Sequence, residues 1–152
     1  MEGDVYDGKW VNNKANGYGI YTNMRGSRYE GHWKDDQQHG IGVENWQEGA
    51  KYEGEYNLGM KEGNGKYTYS DGSTYEGDWY QNKIDGLGTQ IWSDGKEYYG
   101  QWEKNYMHGY GFYVYADKMK YDGQFESDKK HGYGIYSWTD GRRYAGYWNK
   151  GK

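Results

Sequence analysis

Seven tyrosines recur at one interval: Tyr6, Tyr29, Tyr52, Tyr75, Tyr98, Tyr121 and Tyr144, each 23 residues after the last (29 minus 6, 52 minus 29). Each is followed two residues later by Gly and four residues later by an aromatic, and no insertion breaks the spacing. A strict period of this length marks a repeat architecture, in which units stack on their neighbours instead of folding alone. Such chains present long regular surfaces, which suits binding more than catalysis.

A hydrophobic fraction of 34% would by itself suggest too little apolar area for a core. The aromatic fraction of 20% reverses that, because 21 Tyr and 8 Trp bring large apolar area with a polar handle on each ring. Pro is absent, which suits uninterrupted strand ladders. Cys is absent too, so disulfides and thiolate metal sites are excluded. The 27 Gly follow no triplet rule, which excludes collagen. Met1 is followed by Glu2 and Asp4 with no apolar region, so no signal peptide is expected. No apolar run is long enough to span a membrane, and an intracellular location is expected. A net charge of -4 argues against nucleic acid as a partner and disfavours anionic lipid.

Within each repeat, stretches such as Tyr29-Glu30-Gly31-His32-Trp33 and Tyr75-Glu76-Gly77-Asp78-Trp79 alternate ring or glycine with polar residues. Period two predicts a strand with one wet face. A polar turn is expected next, such as Asn12 to Asn16 or Asp35 to His39. A second strand then starts at Gly17, Gly40, Gly63, Gly86, Gly109 and Gly132 and ends, in all repeats but the first, at Trp46, Tyr69, Trp92, Tyr115 and Trp138. Asp71-Gly72, Asp94-Gly95 and Asp140-Gly141 then predict tight hairpin turns. The reading is all-β: a single array over residues 1–152, with six full repeats and a half repeat from Tyr144.

Tyr-x-Gly-x-Trp, then Gly-x-Gly, then Asp-Gly before the next Tyr resembles the MORN repeat (membrane occupation and recognition nexus), from Tyr6 to Trp148. The resemblance implies an elongated, single-layer, twisted and curved antiparallel meander of stacked β-hairpins. It also implies a non-enzymatic protein–protein interaction scaffold in a cytoskeletal, ciliary or membrane-associated assembly. The alternative it offers is a membrane- or phosphoinositide-targeting module of a larger protein such as a lipid kinase. Lys118 stands where the family has Gly, and Glu44 and Gln90 stand where it has apolar residues. A lysine at 118 would strain a left-handed turn.

If both strands of a repeat turn their rings and glycines to one face, each Trp lies opposite a bare glycine and shields it. This predicts a concave, aromatic face, and thirteen strands at about 4.8 Å spacing predict a length of about 60 Å. Trp46, Tyr69, Trp92, Tyr115 and Trp138 are the candidate groove for a peptide, a helix or a second copy of the chain. The opposite face carries a second apolar stripe: Ile20, Ile41, Val43, Leu87, Tyr110, Phe112, Tyr133 and Ile135, with Tyr18 beside it. A contiguous stripe of that kind signals a partner, unless side chains such as Lys9 and Lys34 lie across it. The ends show no capping repeat, so a piece of a longer array or end-to-end pairing with another chain is expected.

No catalytic residue, metal site or cofactor is assigned. His39, His108 and His131 share one turn position, but equivalent turns about 10 Å apart cannot share a zinc ion held at about 2.1 Å. The Gly-x-Gly pairs lack the third glycine and helix of a dinucleotide loop. Asp7, Glu30, Glu53, Glu76 and Asp122 form an acidic row that reads as a solvated face, not a glycosidase pair. Arg28, Lys51, Lys120 and Arg143 share a position and give the anionic-lipid alternative a modest basic stripe. Carbohydrate stacking on exposed rings is a third class, fitted less well by this period than the MORN pattern.

Overall fold

The computed structural model describes residues 3–152, so Met1 and Glu2, on which the reading of the N-terminus rests, lie outside it. Thirteen strands form one antiparallel sheet in chain order, and no helix occurs among the described residues. They fall into two compact units, one running to Asp71 and taking in Trp79–Asn82, the other made of Gly72–Asp78 and Lys83–Lys152. The first holds β1 (Val5–Val11), β2 (Lys14–Thr22), β3 (Arg28–Lys34), β4 (Gln37–Asn45), β5 (Lys51–Asn57) and β6 (Met60–Thr68). Strand β7 (Thr74–Tyr80) is divided after Asp78. The second unit continues with β8 (Lys83–Ile91), β9 (Glu97–Glu103), β10 (Tyr106–Val114), β11 (Lys120–Glu126), β12 (Lys129–Ser137) and β13 (Arg143–Trp148).

The expected turns are corrected at both ends of the hairpin. Between the two strands of a repeat the turn has two residues, not five, and β2 already begins at Lys14. Both turn residues are left-handed, for example Asn12 and Asn13 at φ 53° and 64°, or Asp35 and Asp36 at 47° and 69°. Mirror-image turns of this hand match the twist of the flanking strands, and Asn and Asp tolerate the conformation. The loop expected to be the tight turn is the wider one. There Trp92 N–H donates to Lys96 O at 2.9 Å and Gly95 N–H to Trp92 O at 3.0 Å, with Gly95 at φ 98°. Lys118 adopts φ 75° at the equivalent point, a conformation that costs a side-chain-bearing residue about 1 kcal/mol.

A bulge explains the first glycine of each Gly-x-Gly. Gly8 pairs with Gly19 and Trp10 with Ala15, so Lys9 stands against Asn16, Gly17 and Tyr18. Two extra residues leave the parity of both strands unchanged. Gly17 takes φ +84°, and its counterparts Gly40, Gly63, Gly109 and Gly132 are likewise left-handed. A side chain from the strand opposite pins four of the bulges: Glu55 accepts the Asn64 N–H at 2.6 Å, Asp78 that of Leu87 at 3.0 Å, Gln101 that of Tyr110 at 2.7 Å, and Gln124 that of Tyr133 at 2.8 Å.

The second glycine belongs to a packed spine. Pairs such as Gly19 with Gly31 and Gly42 with Gly54 run side by side across the strands. Trp33 does lie opposite Gly17, as parity requires. The ring over the spine, however, is the tyrosine and not the tryptophan: a Cβ on Gly19 would come 2.5 Å from Cε2 and Cζ of Tyr6, and one on Gly42 equally close to those of Tyr29. Tyr reaches along its own strand, so its hydroxyl donates three residues ahead, from Tyr29 to His32 O and from Tyr52 to Glu55 O, both at 2.8 Å. Trp33 and Trp102 instead turn their indole N–H to Gly19 O at 3.1 Å and Gly88 O at 3.2 Å.

Candidate interaction surface

The Tyr and Trp positions interlock into an edge-to-face ladder. In the first unit, Tyr6, Trp33, Tyr29, Tyr56, Tyr52 and Trp79 follow one another with ring centroids 5.0 to 5.4 Å apart. In the second, Tyr75, Trp102, Tyr98, Phe125 and Tyr121 do the same at 5.0 to 5.5 Å. Such pairs add roughly 0.5–1.5 kcal/mol each beyond the area they bury. Tyr29, Tyr52, Tyr75, Tyr98 and Tyr121 are the largest fully buried side chains. Burial raises the hydroxyl pKa of Tyr29, Tyr52 and Tyr98 well above the usual phenol range and pushes Tyr121 up to about 12.

All five candidate groove rings are half-buried. In the first unit Trp46 packs on Tyr67 at 5.7 Å, and Tyr67 on Tyr69 at 4.7 Å. In the second, Trp92 meets Tyr113 at 5.6 Å, Tyr113 meets Tyr115 at 4.6 Å, and Tyr115, Tyr136 and Trp138 follow at 5.7 and 4.7 Å. The inner rings of this second row, Tyr67, Tyr113 and Tyr136, touch the ladder through Trp79, Phe125 and Trp148. Sequence reading missed these inner rings as site residues, although Tyr21, Tyr67, Tyr113 and Tyr136 recur at one repeat position. Glu44 occupies that position in repeat two and is compensated there: its Oε1 accepts the Tyr56 hydroxyl at 2.7 Å and the Gln38 amide at 3.3 Å. Desolvation, then the Glu44 charge, drives the Tyr56 pKa far upward.

The position across from each Trp varies from repeat to repeat. It is Ala15, Gln38, Lys61, Met107 or Lys130, set opposite Trp10, Trp33, Tyr56, Trp102 and Phe125. Lys61 places its ammonium 5.3, 5.5, 5.9 and 6.0 Å from the rings of Trp46, Tyr52, Tyr67 and Trp79. Lys130 does the same with Tyr115, Tyr121, Tyr136 and Trp148, at 5.7, 5.8, 5.8 and 5.1 Å, and donates to the Tyr115 hydroxyl at 3.1 Å. Desolvation lowers the pKa of both lysines. Over Ala15 the same place is an open cavity of about 380 Å³.

The opposite face mixes apolar and acidic side chains. Tyr18, Ile41, Leu87, Tyr110 and Tyr133 are exposed, whereas Ile20, Val43, Phe112 and Ile135 are half-buried. In the first unit Ile20 lies between Asp7 and Glu30, and Val43 between Glu30 and Glu53. Tyr18 gives its hydroxyl to Glu30. In the second unit Phe112 has Tyr99 on one side and Ile135 has Ala145, so the stripe is more apolar there. The basic stripe is partly engaged, Arg28 pairing with Glu30 at 3.0 Å and Lys51 with Glu53 at 2.5 Å.

Two of the three turn-position histidines brace the next turn. His39 Nδ1 accepts the Leu58 N–H at 3.1 Å and His131 Nδ1 that of Lys150 at 3.2 Å, while His108 lies 3.3 Å from Glu103. No group of three or more metal-ligating side chains converges among the described residues. A second latch joins four of the two-residue turns to the repeat before them. Asp36, Asn82, Asn105 and Asp128 accept the N–H of Ala15, Lys61, Ile84 and Met107 at 2.7 to 2.8 Å, and each returns its own N–H to the same residue's carbonyl.

Among solved structures the chain is similar to the SAS-4 (dCPAP) TCP domain of Drosophila melanogaster, in complex with a proline-rich motif of Ana2 (dSTIL). The two share 14% identity over 85% of this chain and 83% of that one, with a TM-score of 0.47. A search of curated proteins found no match. The family model described as "MORN repeat" matches residues 6–28, 29–51, 52–74, 75–97, 98–120 and 121–142 in unbroken succession, and the chain belongs to the MORN-repeat family.

Proposed function

We propose that this chain is a non-enzymatic scaffold that binds other proteins through its aromatic face. The observation that carries the reading is the second row of rings, which the ladder holds in place yet leaves half-open at Trp46, Tyr69, Trp92, Tyr115 and Trp138. Rigid aromatic side chains with one side packed and one side open make effective contact anchors, since little rotamer freedom remains to be lost. The repeated polar groups that could suggest chemistry are engaged by the backbone: histidines on turns, Glu55, Gln101 and Gln124 on bulges. Pairing of Arg28 and Lys51 with carboxylates favours a protein partner over an anionic membrane. The assembly it serves is cytoskeletal, ciliary or membrane-associated, a placement that follows from the family alone.

Affinity purification from the native cell, with mass spectrometry, tests the reading. A Trp92→Ala/Trp138→Ala variant with an unchanged circular dichroism spectrum is the comparison. The expected result is a partner held by the wild type and weakened at least about tenfold in the variant. Recovery of the same proteins by both forms would remove the groove. Flotation with phosphoinositide vesicles at physiological salt, in place of protein capture, would transfer the function to a membrane.

A further inference from the structure

We infer that the cavity over Ala15 accepts a lysine side chain presented by a partner protein, which extends the scaffold reading by naming the chemistry of one contact. The chain supplies its own template. Lys61 and Lys130 follow their spine tyrosines, Tyr52 and Tyr121, by nine residues, and Ala15 follows Tyr6 by nine (61 minus 52, 130 minus 121, 15 minus 6). Three of the rings around Lys61 are Tyr52, Tyr67 and Trp79, and those around Lys130 include Tyr121, Tyr136 and Trp148. Repeat one sets Tyr6, Tyr21 and Trp33 at the same three places, with Tyr6 and Tyr21 at 5.4 and 6.2 Å from Trp33. The ring walls are built, and methyl stands where an aminoalkyl chain stands in the other two.

Charge complements the shape. Asp36 and Glu44 line the cavity, and Arg28, the one base among the lining residues, already faces Glu30 at 3.0 Å. Tyr21, one wall, donates to Asp4 Oδ2 at 2.6 Å, while the buried Asp4 Oδ1 has no donor among the described residues. Trp10 lines the cavity and is exposed, so an incoming chain has a ring to slide along. An ammonium among ring faces, with carboxylates at hand, gains both cation–π and Coulomb attraction in a partly dry site. Where the equivalent position is to be closed, the chain uses other residues: Met107 and Ile84 are buried there.

The test uses the full chain and the peptide acetyl-Gly-Lys-Gly-amide, followed by the indole N–H resonances of Trp10 and Trp33. Saturable binding is expected, at least about fivefold tighter than for the norleucine peptide, as befits a cation–π contact of about 1 kcal/mol. Ala15→Lys and Ala15→Met, each copying another repeat, are expected to fold and to abolish binding. Equal affinity for norleucine would make the cavity merely apolar, and binding that survives in either variant would put the site elsewhere. Tighter binding of the arginine peptide would reassign the site to guanidinium, and equal binding of methylammonium would make it a free-amine site; either overturns the inference. Absence of a saturable shift overturns it as well. If peptide binding fails while partner capture persists, only this inference falls and the scaffold reading stands.

Discussion

Tyr52 and Lys61 point to the same face of neighbouring strands, but the repeats treat their two positions in opposite ways. The tyrosine position is occupied identically seven times, and each occupant from Tyr6 to Tyr121 lays its hydroxyl on the carbonyl three residues on. The lysine position accepts alanine, glutamine, lysine, isoleucine and methionine. The difference follows from what each side chain touches. The tyrosine closes over paired glycine backbones that cannot move apart, so ring size, reach and hydroxyl are all fixed. The other position is buried at Ala15, Ile84 and Met107 and half-buried at Gln38, Lys61 and Lys130, so packing there is satisfied by many volumes. Repetition secures the fold at the first position and individuality enters at the second.

The largest effect is expected from breaking the spine. In Gly42→Val the new Cβ would come 2.5 Å from Tyr29 Cε2, and the ring has no vacant place to go. A loss of about 3 kcal/mol or more is expected, read from the urea midpoint, against typical overpacking costs of 1–3 kcal/mol. Alkaline titration addresses one spine tyrosine and one inner ring without mutation. Tyr121 and Tyr113 are held up to about 12, whereas an unfolded tyrosine ionises near pH 10. The native chain therefore keeps protons that the unfolded chain has lost. Stability is intact below about pH 10 and is lost as pH rises through roughly 10 to 12. A urea midpoint that is the same at pH 8 and pH 11 would contradict the burial assigned to them.

Tyr52→Phe removes one buried hydroxyl and leaves Glu55 O without its donor, with an expected cost of about 1–2 kcal/mol. Lys118→Gly relieves the left-handed backbone and is expected to stabilise by about 1 kcal/mol, seen as a rise in Tm of several degrees. The smallest change is expected at the variable position. Lys61→Met, which copies Met107, should shift the midpoint by no more than about 0.5 kcal/mol, because the lost cation–π contacts are offset by relief of a desolvated charge. A large loss there would erase the contrast between the two positions.

Much of the architecture was legible in the sequence because period two and period 23 survive any error of detail. Strand parity correctly set Trp33 opposite Gly17. It could not say which ring covers the glycine spine, since Tyr and Trp share a face and only reach along the strand separates them. The two-residue turn was hidden because Lys14-Ala15-Asn16 looks polar, yet the pairs Asn12-Asn13, Asp35-Asp36 and Lys104-Asn105 carried a left-handed turn signal. The lysine cages were out of reach: each assembles rings from three consecutive repeats, and the cavity over Ala15 is a missing volume that no residue announces. Glu44 was read as an irregularity, and its partners Tyr56 and Gln38 show it to be a polar substitute for a ring.

The latch between turns and preceding repeats also sets an order of events during synthesis. The amide of Ala15 is capped by Asp36, that of Lys61 by Asn82, that of Ile84 by Asn105 and that of Met107 by Asp128, each 21 residues further on. A hairpin leaving the ribosome is thus unfinished until its successor's bend has emerged. At these four places the arriving bend locks the hairpin that came before it.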